Sequence, residues 1–362
     1  MTAPVRPAVR PVVRPAVRPA GYALLRRPGL SLLLHRRAML VAAALTVLLA
    51  AAVTASLCLG ESTVAPVEVV RVVLGRPSPD ELVVGTLRLP RVTVGLLVGL
   101  ALGLSGALIQ TVARNPLASP DVIGVTHGSS AVVVGLLAFG AVSSPGQVPV
   151  AAVGGGLLAG LLVYLLAWRR GMHAHRFVLI GIGISTALSS LTHLFLTKGD
   201  ALQGQQAKVW TTGSLNGSGY DQAGWLALVL LAAVPGTLWA ARAQRSVSFD
   251  DATAVALGLR LNRVRTGLAL LGIALACCAT GAAGPVDFVA LMAPQLAVRL
   301  TRTAQLPLLC SALTGAVVTV TADLIARRLL SPTELPVGVV TALVGAPYLM
   351  WLLVRSRTGG SR

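Results

Sequence analysis

Uncharged residues run without interruption from Ala38 to Gly60, 23 positions. That is about 35 Å of α-helix, enough to cross a hydrocarbon core of about 30 Å. Comparable runs recur at about 92–112, 122–142, 148–168, 177–197 and 223–241, and again near 266–284, 288–300, 306–325 and 337–354. The pattern therefore predicts ten membrane spans. The eighth is the shortest, about 13 residues, with Pro285 just before it and a second proline, Pro294, inside it. Glycine recurs inside the runs, as at Gly95, Gly99, Gly103 and Gly106 and at Gly154–Gly156 and Gly160, which suits close helix packing in lipid.

Composition agrees with a chain built for lipid. Of 362 residues, 55% are hydrophobic and 12% charged, with mean hydropathy +0.79. A soluble domain carries about 25% charged residues, so soluble enzymes and disordered scaffolds fit poorly. The formal charge of +18 raises nucleic acid as a partner, but aromatic residues are only 4% of the chain, and the basic–aromatic interleaving that stacks on bases is missing. The distribution of the charge explains it better. With the N-terminus inside, 22 of the 30 Lys and Arg residues fall in cytoplasmic segments and 8 on the other side. That is the positive-inside bias, and it predicts both termini in the cytoplasm.

Residues 1–37 form a separate unit in which Val-Arg-Pro recurs every four residues at Val5, Val9, Val13 and Val17. Proline at that spacing forbids a regular helix, so a disordered basic tail is expected, followed by a membrane domain at 38–355 and a short cytoplasmic tail at 356–362. The hydrophobic stretch after the basic tail is too long for a signal peptide and lacks a clear cleavage site. The four cysteines lie in predicted spans and have no metal or disulfide spacing. The histidines form no ligand set beyond His173 and His175, and no metal or other cofactor is expected.

No glycine-rich phosphate loop ending in Gly-Lys-Ser/Thr occurs, since neither Lys198 nor Lys208 follows the required glycine. The chain is thus not expected to hydrolyse ATP, nor to be an enzyme of the nucleophile-elbow or zinc-protease type. Ion-coupled carriers place carboxylates deep in the bilayer. Asp287 and Asp323 both fall near the outer ends of their spans, and Asp323 stands four residues before Arg327, where a helical ion pair accounts for it. An ion-coupled secondary transporter is therefore the alternative rather than the first reading.

Several stretches are more patterned than lipid packing requires. They are Leu87-Arg88-Leu89-Pro90-Arg91 with Gly106-Ala107-Leu108-Ile109-Gln110; Arg114-Asn115-Pro116-Leu117-Ala118-Ser119-Pro120-Asp121 with Gly124 and Gly128; Phe249-Asp250-Asp251 through Gly258; and Glu334-Leu335-Pro336-Val337-Gly338 leading to Gly345-Ala346-Pro347. Gly213-Ser214-Leu215 and the Gly284-Pro285 segment through Phe288, Leu291 and Pro294 complete the set. Together, from about Val84 to Leu353, they resemble the permease subunits of ABC importers for iron–siderophore, haem and vitamin B12 chelates, the FecCD/BtuC-like family. The sequence departs from that pattern at Asp287, Gln295 and Val298, with Arg299 one place late.

The resemblance implies an all-α polytopic permease of the type II importer kind, with about ten transmembrane helices in a bacterial cytoplasmic (inner) membrane. It would work as a homo- or heterodimer, powered by separate ATP-binding ABC subunits and fed by a periplasmic or lipoprotein substrate-binding protein, with ferric siderophore the first choice of cargo. It implies that Arg88, Arg91 and Arg327 receive acidic residues of the binding protein. Asp250, Asp251, Ala254, Leu257 and Gly258 would belong to the loop that docks in the ATPase. Asn115, Pro116, Gly124 and Gly128 would shape the inner end of the pathway, with Ala174 and His175 at the inner gate.

Overall fold

The computed structural model describes residues 22–358 apart from 28–29, 61, 143, 145, 169–170, 172, 200, 248–250 and 332. Its body is all-α. Seven helices are long and apolar enough to cross a membrane: α1 (Arg36–Cys58), α3 (Leu89–Ala113), α5 (Gln147–Ala167), α6 (Ala174–Lys198), α8 (Tyr220–Val247), α10 (Leu261–Ala283) and α12 (Leu308–Leu329). Three shorter apolar helices complete the ten expected spans: α4 (Val125–Ala138), α11 (Val289–Thr301) and α13 (Val337–Thr358). The connections carry α2 (Pro66–Val73), α7 (Ala201–Thr211) and α9 (Asp251–Ala256). The start of α1 and the end of α13 both lie beside the end of α11, where Arg37 donates to the Leu300 carbonyl at 2.8 Å and Arg299 sits 4.5 Å over the Trp351 ring, so they share one face, the terminal face.

Burial sorts the helices into a centre and a periphery. In their most apolar stretches α3 is 72% buried, α10 67% and α12 61%, whereas α1, α6 and α8 are each 17% buried. The central seam is made by missing side chains. A Cβ on Gly99 would lie 2.5 Å from the Gly315 carbonyl, and one on Gly103 2.2 Å from that of Ser311. Both distances are below any real contact, so α3 and α12 touch backbone to backbone. Ser105 adds a hydrogen bond of 2.6 Å to the Gly272 carbonyl of α10, the kind of small polar link that holds helices together in lipid.

Two boundaries differ from the hydrophobic pattern. The second span starts ten residues early, because a π-helical turn, Leu82–Arg88, runs straight into α3. Charge made the sequence reading stop at 92, yet Arg88 and Arg91 are buried within this helix; their partners, described below, remove the penalty. In the segment expected to be a disordered tail, β1 (Tyr22–Arg27) and β2 (Leu30–His35) pair antiparallel, Tyr22 opposite His35. The Val-Arg-Pro repeat itself lies outside the described residues.

Candidate functional site

The face opposite the termini is organised by arginine. The last carbonyls of a helix have no intrahelical partner, and the end of α1 is closed by guanidinium groups. Arg88 donates to the carbonyls of Leu57 (2.8 Å) and Cys58 (3.3 Å) and to that of Ser62 (2.6 Å). Arg327 donates to the Ser56 carbonyl (3.2 Å) and hydroxyl, and Arg328 to the Gly60 carbonyl (2.9 Å). Arg91 sits between two carboxylates, bonding Asp323 through Nε (3.0 Å) and Nη2 (2.9 Å) and Glu334 through Nη1 (2.8 Å). Arg327 pairs with Asp323 at 3.2 Å, the local helical pair expected from their spacing.

Arg88, Arg91 and Arg327, expected to meet a binding protein, are thus brought together, but all three are at least nine-tenths buried. Each guanidinium engages acceptors of this chain, Arg91 most completely, while Arg327 Nε meets Asp323 as an ion pair without a hydrogen bond. Sequence alone did not reveal this because Glu334 and Ser56 are far from these arginines along the chain.

Three motifs that look unrelated in the sequence meet on the same face. The Ser214 amide donates to the Ala283 carbonyl (2.9 Å) and the Gly338 amide to the Gly213 carbonyl (3.2 Å). A Cβ on Gly213 would lie 1.8 Å from the Pro285 carbonyl. This knot of turns borders a cavity of about 680 Å³ lined by Trp210, Ser214, Asn216, Gly284, Glu334 and Pro336, among others.

On the terminal face, α9 projects between α8 and α10. Asp251 at its start is gripped in a bidentate fork by the buried Arg265 of α10 (2.7 and 3.0 Å). Arg114, the left-handed residue that ends α3 (φ +49°), pairs with Asp251 at 2.9 Å and donates to the Val247 carbonyl at 2.9 Å. The Asp251 carboxyl is held below the ordinary carboxylate range, chiefly by the hydrogen bond from Arg265. Ala254 is fully buried beneath the helix while Leu257 is 61% exposed. Gly258 closes the element with φ +72° and open space where a Cβ would be. Asp250 lies outside the described residues. A single carboxylate therefore ties an exposed docking-sized helix to two of the three central helices.

The inner loop is built as a re-entrant turn. The Asn115 side chain accepts the Leu117 amide at 2.9 Å, an Asx turn that Pro116 favours. Gly124 (φ +86°) starts α4, and Gly128 lies against α5, where a Cβ would come within 2.6 Å of the Gly155 carbonyl. Ala174 and the exposed His175 open α6, which meets this loop further along, where Ser185 donates to the Asp121 carbonyl at 3.3 Å. Gln295, one of the unusual positions, donates to the buried Gln110 at 2.7 Å, which in turn donates to the Leu291 carbonyl at 3.1 Å. The displaced Arg299 lies 4.5 Å over the Trp351 ring.

Asp121, His127 and Asp287 were not among the expected site residues. They share one cavity of about 410 Å³ with Ser185, Thr186 and Phe288. Asp121 was hidden inside the Asn-Pro loop motif, and Asp287 was read only by its place at the end of an apolar run.

Comparison with known proteins agrees with the architecture. Residues 48–355 match the FecCD transport family. The ferric enterobactin transport system permease protein FepG of Escherichia coli (strain K12) is 39% identical over 280 residues, 77% of this chain and 84% of the relative. The iron(3+)-hydroxamate import system permease protein FhuG of Bacillus subtilis (strain 168) is 35% identical over 314 residues, 83% and 92% of the two chains. A solved structure described as an inward-facing metal-chelate type ABC transporter superposes with a TM-score of 0.75 at 27% identity, covering 88% of this chain and 99% of that one.

Proposed function

The chain belongs to the FecCD transport family of membrane permeases, and from that membership we propose that it forms the translocation path for a ferric chelate, a siderophore first, in an ABC importer driven by separate ATPase subunits. The observation that carries this reading is the lashing of the exposed α9 element to α3 and α10 through Asp251. A force applied by an ATPase at Leu257 would pass to the central helices without crossing a flexible joint. Both termini and α9 face the cytoplasm in this proposal, in keeping with the arginine bias.

The opposite face receives the substrate-binding protein. There Arg88, Arg91 and Arg327 set the shape of the rim, and the cavity beside Trp210 and Glu334 receives the released chelate. A second permease subunit, identical or related, closes the path along the sparsely buried α6. Asn115, Pro116, Gly124 and Gly128 shape its inner end, and His175 stands at its exit. Co-expression with the ATPase and binding protein, followed by vesicle uptake, tests the whole proposal. ATP-dependent accumulation of a ferric chelate is the expected result. Uptake by the lone chain under a proton gradient would establish the ion-coupled alternative instead.

A further inference from the structure

α2 sits where three spans begin or end, on the face opposite the termini. Seven residues separate it from the last residue of α1, Cys58, and it packs beside the π-helical turn that opens the second span. Tyr220, the first residue of the α8 span, donates to the Gly85 carbonyl of that turn at 2.6 Å. A Cβ on Gly85 would lie 3.3 Å from Cγ1 of Val72 in α2. Tyrosine is enriched at the ends of spans, where hydrocarbon gives way to headgroups. That level is the level of α2.

The helix is divided lengthwise into three sectors. Val69 faces inward and joins Leu57, Val64 and Val84 in one apolar cluster, with Val72 packed against it. Glu68 and Arg71 form the second sector, paired at 2.8 Å, and Glu68 also accepts a hydrogen bond from Ser78 at 2.9 Å. Val67, Val70, Val73 and Leu74 form the third, each more than half exposed. At 3.6 residues per turn these four cover an arc of about 120°. Leu82 and Leu87 of the adjoining π-helical turn are exposed to the same degree. A Schellman turn ends the helix, the Gly75 amide donating to the Val72 carbonyl and the Arg76 amide to the Arg71 carbonyl, both at 2.9 Å. It brings Arg76 back beside Arg71, and both arginines are exposed.

Four aliphatic side chains turned outward from one short helix mark a surface that something apolar covers. Protein partners are gripped mainly through Trp, Tyr and Arg, with Val and Leu under-represented, and this arc is made of valine and leucine alone. Beside it lies the bilayer that α1, α3 and α8 span. We infer that α2 is an interfacial anchor: its arc of Val67, Val70, Val73 and Leu74 rests on the acyl chains of the leaflet opposite the termini, with Arg71 and Arg76 at the lipid phosphates. Ser62, whose carbonyl Arg88 holds, lies in the segment joining α1 to α2. Anchoring α2 thereby fixes the arginine-built rim at one height on the membrane. The inference needs only that the chain spans a bilayer, and it stands apart from cargo and ATPase.

The test uses the full chain in phospholipid vesicles, with a nitroxide label on Val67→Cys, Val70→Cys, Leu74→Cys or Arg76→Cys and the signal of labelled unsubstituted protein subtracted. All four positions are exposed, so a label fits without repacking. Collisions with oxygen, which concentrates among acyl chains, are compared with collisions with a water-soluble nickel chelate. The oxygen-to-nickel ratio at 67, 70 and 74 should exceed that at 76 by at least about threefold, with or without the substrate-binding protein. Equal ratios at the four positions overturn the inference. Protection from nickel that appears only on adding the binding protein also overturns it, making the arc a docking surface for that protein. Strong spin–spin broadening at 70 or 74 overturns it in favour of a contact between two copies of the chain.

Discussion

Arg91 of α3 and Asp323 of α12 meet through two hydrogen bonds of 3.0 and 2.9 Å, 232 residues apart in the chain and both largely buried. Removing one partner of a buried pair leaves the other charge unsolvated, at a cost of about 3–5 kcal/mol. Arg91→Glu would place three carboxylates together. Such a variant should therefore fail as a folded protein, not merely as a docking partner. The check is thermal unfolding in detergent, where Arg91→Lys should be intermediate and Arg91→Glu with Asp323→Arg should recover part of the loss. An Arg91→Glu protein with wild-type stability and a weakened binding-protein complex would restore the docking role.

Asp251→Asn keeps the size of the side chain but gives up the charge that both Arg114 and Arg265 hold. ATP hydrolysis by the assembled transporter should continue while uptake per ATP falls by about tenfold. Asp251→Glu should recover much of it. Equal loss of both activities in Asp251→Asn would mean the residue only stabilises the fold.

The same carboxyl predicts a pH response. Its folded pKa lies below the unfolded value, so its hold on α9 is complete above about pH 4 and is lost as the pH falls through the folded pKa. A spin label at the exposed position 257 should become mobile only in that acid range. In Asp251→Asn it should be mobile throughout.

Gly258 has φ +72° and nothing near its missing Cβ. Space is therefore not the constraint; the left-handed backbone is, at about 1–2 kcal/mol for an ordinary L-residue. Gly258→Asn should be tolerated better than Gly258→Val, measured as uptake per ATP. Equal effects would point to a steric fit in the ATPase groove instead.

Along the seam the opposite holds. A Cβ on Gly315 would come within 2.2 Å of the Gly99 carbonyl, with backbone on both sides and no side chain to give way. Gly315→Val should abolish the folded protein, as read by size-exclusion chromatography, whereas Gly154→Val, with open space around its Cβ position, should behave as wild type.

The spans were legible because a bilayer forces long uncharged runs, and the short eighth span was visible as the run that follows Pro285. The loop Asp251–Gly258 was readable from its small residues. What sequence could not supply was pairing. Arg91 reads as an interface arginine until Asp323 and Glu334 are placed beside it, and the ring of arginines around the end of α1 depends on contacts over as many as 271 residues. Asp287 was judged by its distance from the end of an apolar run. Its place in one cavity with Asp121 and His127 depends on how α4, α6 and α11 pack and is not written in the run itself.

The Gly99–Gly315 seam has a consequence for biosynthesis. α3 leaves the ribosome some two hundred residues before the helix that completes it. Until α12 arrives, Arg91 and the bare glycine stripe of α3 face lipid with no counter-ion and no matching ridge. A chain interrupted before α12 would display a stranded cation and an unfilled groove, the kind of flaw by which membrane proteases distinguish unfinished products from finished ones.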